Sequence, residues 1–260
     1  MRPLSVVIIT RNAGAQLGEC LASVRFAAEV VVVDSGSEDD TVAVAEAAGA
    51  RVIQQPWLGF GPQKQFAVQQ AANDWVLCLD ADERVSPALA AAMQRELAQP
   101  ACQAYRFARC NRFLGRYLRH GEGYPDWSLR LFHRAHARWS DDAVHEKVLA
   151  VGPVGTLAGD LLHDTAETLD SYLGKQNRYT TLAAASAFAA GKRVGAAQLL
   201  LSPLIRFIKF YFLRQGFRDG LPGLVHILIG CFNSFAKYAK ILGFQRAAAA
   251  QHDQLPRSGS

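Results

Sequence analysis

Four valines in a row, Val30 to Val33, run straight into Asp34. An apolar run without alternation is a strand buried on both faces, the condition of a parallel sheet. Leu4–Ile9, Arg51–Ile53 and Trp75–Leu79 are short strands of similar character. Helical spacing separates them. Leu17, Cys20, Leu21 and Val24 fall on one helix face, and a second helix starts at Thr41 and stops near Gly49. A third begins at Pro62 and ends near Ala72, and Ser86-Pro87 supply an N-cap and a first-turn proline for a helix with Leu89, Met93 and Leu97 on its face. Alternating strand and helix specify a doubly wound α/β sheet. Ligands bind such sheets outside the carboxyl ends of the strands, so the polar residues after each strand are the first candidates.

From Gln103 to Val151 the pattern changes to strands at Ala104–Cys110 and Ser128–Arg134 with Arg- and aromatic-rich loops. From Thr168 the chain turns helical, through an alanine-rich stretch to Ala190. Half of the 260 residues are apolar and a fifth are charged, which excludes disorder as the main state. The formal net charge is +5. Leu199–Leu242 holds six basic residues (Arg206, Lys209, Arg214, Arg218, Lys237, Lys240) and one acid, Asp219, so this segment carries the whole excess. That distribution argues against a nucleic-acid surface and for one local anionic partner. The five cysteines are odd in number and include no CxxC, so neither a disulfide framework nor a zinc site is expected, in keeping with a reducing cytoplasm. No signal peptide is visible at the N-terminus.

Three polar clusters stand at strand ends: Thr10-Arg11-Asn12, Asp34 to Asp40, and Asp80-Ala81-Asp82-Glu83. Residues two apart in extended chain face one side, so Asp80 and Asp82 can approach one hard cation, or they can merely solvate a loop. Magnesium or manganese takes such oxygens and keeps sites for phosphate and water. Asp34 can accept bonds from a base or ribose, with Ser35, Gly36 and Ser37 forming a tight turn beside it. Asp39 or Asp40 caps the helix at Thr41. Thr10 and Asn12 serve a uracil edge or the local turn. Lys64, in the first turn of its helix, faces phosphate or solvent. No GxGxxG follows the first strand and no P-loop is present, which weakens dehydrogenase and ATPase readings.

SVVIITRNA, VVVDSGSEDDT, GFGPQK and CLDADE, in this order and spacing, resemble the nucleotide-sugar half of family 2 glycosyltransferases, which have the GT-A fold. DWSLRLFHR and VHEKV, followed by a basic-aromatic C-terminal segment, resemble the bacterial lipopolysaccharide-core β-glucosyltransferases within that family. The resemblance implies an inverting, metal-dependent hexosyltransferase. Its GT-A domain covers residues 1–165, with a nucleotide-sugar half over 1–100 and an acceptor half over 101–165. By the same resemblance Asp34, Thr10, Asn12, Ser35 and Asp39 surround the nucleotide, Asp82 holds Mg or Mn, and Asp80 contacts ribose or metal-bound water. Inversion needs a base opposite the leaving diphosphate. The family's Glu-Asp pair is not obvious here, so Glu146 is the first candidate and Asp126 the second, with His145 as a further metal ligand or an orienting group. Arg130 and Arg134 face an anionic acceptor or phosphate, or one of them is a surface charge, while His133 reads as structural. UDP-glucose is the first-choice donor and a lipid-linked saccharide the acceptor.

The C-terminal region 166–246 reads as helical and membrane-associating, and 247–260 as a disordered tail. Neither Leu199–Leu213 nor Leu221–Ala236 offers 18 clean apolar residues, so interfacial amphipathic helices on the anionic inner face of the cytoplasmic membrane are expected rather than spans. Two other classes compete. LCLDADERV is superficially like the nucleophile strand of haloacid-dehalogenase phosphatases, and a non-catalytic membrane-docked protein could retain the fold.

Overall fold

β1 (Leu4–Thr10), β2 (Glu29–Asp34) and β4 (Trp75–Asp80) are the buried strands that the apolar runs predict. The computed structural model describes residues 2–142, 146–165 and 168–253. Helices α1 (Gly14–Ser23), α2 (Thr41–Ala47), α3 (Phe60–Gln70) and α4 (Pro87–Glu96) alternate with these strands and with β3 (Arg51–Gln54) and β5 (Glu83–Val85). β3 is less buried than expected: it lies at the sheet edge with Arg51 exposed. The chain continues through β6 (Ala104–Phe113), β7 (Arg116–Tyr117), β8 (Asp126–His133), β9 (Ala137–Trp139), β10 (Val148–Ala150) and β11 (Val154–His163).

The main sheet runs β3-β2-β1-β4-β8-β6-β11-β5. Its first four strands are parallel, and β8 joins β4 antiparallel. Successive side chains of β1, β2 and β4 point to opposite faces, and both faces are covered. Val6, Ile8, Val32, Leu77 and Leu79 pack with Leu17 and Leu21 of α1 and Leu89 and Met93 of α4. Val7, Val31, Val33 and Val76 pack with Ala67 and Val68 of α3 and with Trp139. Each large apolar side chain so buried contributes about 1.5–3 kcal/mol. Register brings the strand ends level: Thr10 lies beside Asp34, and Ile9 beside Asp80.

Two compact units result. One holds the chain up to Arg112 together with Pro125–Thr165. The other holds Phe113–Tyr124 together with the described residues from 168 onward. Within this second unit, α5 (Leu169–Ala189) and α6 (Ala196–Phe207) pack on the long α7 (Gly220–Asp253), around Ala184, Val194 and Ile241. A π-helical turn, Ile208–Leu213, continues α6. The helical structure of α7 extends to Asp253, into the stretch read as tail.

Leu200, Leu201, Leu204, Ile205, Ile208, Phe212 and Leu213 are all exposed. Ala196–Leu213 is 18 residues long and by length and composition apolar enough to cross a membrane, although Arg206 and Lys209 interrupt it and interfacial helices were expected rather than spans. The structure changes the weight of Arg206, because the carboxylate of Glu122 pairs with its guanidinium. Lys240 is likewise turned inward, onto Asn177, Thr180 and Thr181.

Candidate active site

A cavity of about 710 Å³ opens at the carboxyl ends of β1 and β4. Thr10, Asn12, Lys64, Asp80, Asp82 and Glu146 line it, so six of the predicted residues converge. Asp34, Ser35 and Asp39 do not reach its wall, and Asp126 and Arg130 lie beyond it. His145 lies outside the described residues.

Asp34 is fully buried at the end of β2. One carboxylate oxygen accepts from Thr10 Oγ1 at 2.9 Å and from the Ser37 hydroxyl. The other accepts from the backbone N–H of Gly36 at 3.0 Å and of Ser37 at 2.9 Å. Burial pushes the Asp34 carboxyl up, but the bonds from Ser37, Thr10 and Gly36 outweigh it and hold it below its ordinary value. Asp34 thus ties the two strand-end loops together. Asn12 does the same from the other side: its backbone N–H donates to Ser37 Oγ and its Oδ1 accepts from Glu38 N–H, with φ at +50°. Asp39 caps, accepting from the Thr41 hydroxyl and N–H and from Gly14 N–H, bonds that also lower its pKa. The Ser35 hydroxyl takes a bond from the buried Gln63.

α3 starts at Phe60, two residues before Pro62, so Lys64 stands in its second turn rather than its first. Gly61 lets this end of the helix approach Ser140, because a Cβ there would sit 2.3 Å from the Ser140 carbonyl oxygen. Lys64 is buried and meets Asp80 and Glu146, each at 3.1 Å. Asp80 also accepts from Arg130 at 2.9 Å. Arg130 reaches Glu83 at 3.4 Å, Glu83 lies 3.7 Å from Arg109, and Arg109 grips Asp126 at 2.7 Å. One ion chain therefore links Glu146 to Asp126 through four carboxylates and three cations.

Burial raises the Asp80 carboxyl, but Arg130 and then Lys64 overrule it and hold it well below the usual range. Glu83 is fully buried and moves the other way: burial lifts it, Arg130 opposes, and Asp80 adds to the rise. Trp139 stacks beneath the cations, its ring 4.8 Å from the Lys64 ammonium and 5.2 Å from the Arg130 guanidinium. Arg134 does not join Arg130. It bonds Asp74 and the Ala71 carbonyl at the opposite end of the strands.

Several lining residues carried no signal in the sequence reading. His163, at the end of β11, brings Nε2 within 3.3 Å of Asp82 Oδ2. Its Nδ1 lies 2.7 Å from Asn111 Oδ1, and its Nε2 faces the Asp82 carboxylate. Such a pair needs a proton or a cation between its members, and a divalent ion fits the donor set. Among the described residues no cluster of three metal-ligating side chains forms, so further positions on such an ion would fall to substrate oxygens and water. Asp80, held by two cations, is less available to it than Asp82. Trp57 and Phe60 stand T-shaped at 4.9 Å, about half exposed, on the same cavity wall.

The profile of the family described as "Glycosyl transferase family 2" matches residues 5–149. The lipopolysaccharide core biosynthesis glycosyltransferase LpsC of Rhizobium meliloti (strain 1021) is 36% identical over 95% of this chain and 93% of its own length. An uncharacterized glycosyltransferase of Rickettsia typhi (strain ATCC VR-144 / Wilmington) is 30% identical, over 93% of this chain and 87% of its own. Among solved structures, residues 1–349 of S. aureus TarS align over 94% of this chain and 92% of that one, at 13% identity and a TM-score of 0.48. Glucosyl-3-phosphoglycerate synthase of Mycobacterium tuberculosis covers 43% of this chain and 44% of that one, at 26% identity and a TM-score of 0.37. At TM-scores below 0.5 neither likeness bears on the chemistry. The matched span takes in the ends of β1 and β4 that meet at the cavity, and both glycosyltransferase relatives align over more than nine-tenths of this chain, which sets the phosphatase reading aside. The chain belongs to glycosyl transferase family 2, and its fold is GT-A.

Proposed function

We propose that this transferase moves a hexosyl group, glucose from UDP-glucose as first choice, to a lipid-linked saccharide of the lipopolysaccharide core, inverting the anomeric carbon in one displacement. The acceptor class rests on the likeness to LpsC. The larger cavity takes the donor. Thr10 and Asn12 offer polar atoms to the base, and Trp57 and Phe60 offer exposed aromatic faces. The diphosphate lies toward Arg11, Lys64 and the pair Asp82–His163. Those two side chains would hold Mg²⁺ or Mn²⁺, which neutralises charge on the departing diphosphate.

One observation carries the assignment of the base. Glu146 lines the donor cavity and also a second cavity of about 340 Å³. A carboxylate on a shared wall can take the proton of an acceptor hydroxyl that enters from the second side. Lys64 holds that carboxylate at 3.1 Å and orients it. Ser140 steadies the same loop: its N–H donates to the Lys147 carbonyl, and its hydroxyl accepts from Lys147 N–H. Asp126, gripped by Arg109 at the far end of the ion chain, is the second candidate. Glu146→Gln is expected to keep donor binding and lose transfer. If Asp126→Asn alone produces that phenotype, the base is Asp126.

The exposed apolar face of Ala196–Leu213 supports contact with a membrane, where a lipid-linked acceptor resides. Lys209 on this segment and Arg214 directly after it would favour an anionic, cytoplasmic leaflet.

A further inference from the structure

The second cavity has a chemistry of its own. Arg109, Arg130 and Lys147 line it with Trp127, Ser128 and Glu146. Most of its charge is answered within the fold. Arg109 is held by Asp126 and Glu83. The Nη2 of Arg130 is held by Asp80 and Glu83, and Glu146 is held by Lys64. Two donors are left over. Arg130 has a side chain only 8% exposed, yet its Nη1 is buried without a hydrogen-bond partner. Lys147 is exposed, and among the described residues no acid pairs with its ammonium.

An unsatisfied buried nitrogen on a charged group is costly, and native folds seldom carry one without a reason. Arg130 and Lys147 both line this cavity, and two cationic groups on one cavity match an anion with several oxygens. Trp127, half exposed beside them, offers an aromatic face to a sugar ring. A cavity of about 340 Å³ falls within the range of small-ligand pockets, about 300–1,000 Å³.

We propose that this cavity is an acceptor subsite for an anionic substituent, a carboxylate or a phosphate carried by the acceptor saccharide, read by Arg130 and Lys147. It rests on the glycosyl-transfer reading and deepens it, because an anion seated here places its saccharide against Glu146 on the shared wall. The subsite selects acceptors by charge, while the donor cavity selects the nucleotide sugar.

Inorganic phosphate is the first probe, titrated into the full chain at constant ionic strength with sodium chloride as balance. Thermal unfolding is followed by tryptophan fluorescence, since all four tryptophans lie in the first unit. Phosphate at tenfold its Kd is expected to raise the melting temperature by about 3–6 °C. The rise should persist in Asp82→Asn, which disables the donor-side cation site, and vanish in Lys147→Glu and Arg130→Lys. No saturable rise in the native protein, a rise lost in Asp82→Asn, or one retained in Lys147→Glu overturns the proposal.

The second arm separates the sources of the anion. Transfer to deacylated lipopolysaccharide core oligosaccharide is compared with transfer to the same oligosaccharide methyl-esterified or dephosphorylated. One modification is expected to raise the acceptor KM about tenfold, and which one does so identifies carboxylate or phosphate. Equal KM for all three overturns the subsite. If phosphate stabilises as described but the intact oligosaccharide accepts no sugar, the acceptor assignment under the proposed function fails and the subsite stands.

Discussion

Asp34→Ala distinguishes a nucleotide ligand from a structural tie. In the folded protein the Asp34 carboxylate accepts four bonds, two from hydroxyls and two from backbone amides. Alanine removes all four acceptors. The Thr10 and Ser37 hydroxyls can turn to other partners, but the amides of Gly36 and Ser37 cannot move. Hydrogen bonds to a charged group are worth about 1.5–3 kcal/mol each, and Gly36 is exposed enough for water to replace part of the loss. A net cost of about 3 kcal/mol follows, a fall of about 6–12 °C in melting temperature for a unit of this size.

The sign of the pH dependence is set by the lowered carboxyl. A group whose folded pKa lies below its unfolded value contributes stability above the unfolded pKa, about 3.9, and loses it as pH falls through the folded one. The deficit of Asp34→Ala should therefore be constant from about pH 8 to pH 5 and shrink below about pH 4. Denaturant unfolding read by tryptophan fluorescence measures it, because Trp75 and Trp139 are buried in this unit. A deficit under about 1 kcal/mol, or one that grows on acidification, refutes the reasoning and returns Asp34 to the role of a nucleotide ligand alone.

Two further outcomes are expected. Mn²⁺ should tighten binding of a nucleoside diphosphate to the native protein, and Asp82→Asn or His163→Gln should each abolish that gain in a calorimetric titration; equal gain in His163→Gln removes this residue from the metal site. Truncation after Gly195 removes the exposed apolar face and should abolish co-sedimentation with vesicles containing anionic lipid, as should Ile208→Asp combined with Phe212→Asp in the full chain. Unchanged sedimentation of the double variant counts against the membrane contact.

Much of the fold is written in local sequence. Runs such as Val30–Val33 are apolar on every residue, so they can only be strands covered on both faces, and the helices between them carry their own spacing and caps. Ser86, for example, accepts from Leu89 N–H at the head of α4 as an N-cap should. Because ligands bind at the carboxyl ends of such strands, Thr10, Asn12, Asp80 and Asp82 could be named as neighbours before any coordinates.

The rest depended on contacts between distant segments. β5 is three residues long and β11 is glycine-interrupted and half exposed, so neither announces itself by period. Their antiparallel pairing sets His163 opposite Glu83 and hence beside Asp82, and Gly159 admits the backbone of Leu89 where a Cβ would collide at 2.4 Å. The ion chain draws one charge each from α3, β4, β5, β6 and the loop before β10, and two from β8. A lone Arg or Glu in sequence is indistinguishable from a solvated surface charge. Burial and an opposite partner give it a role, and both exist only once the chain has closed.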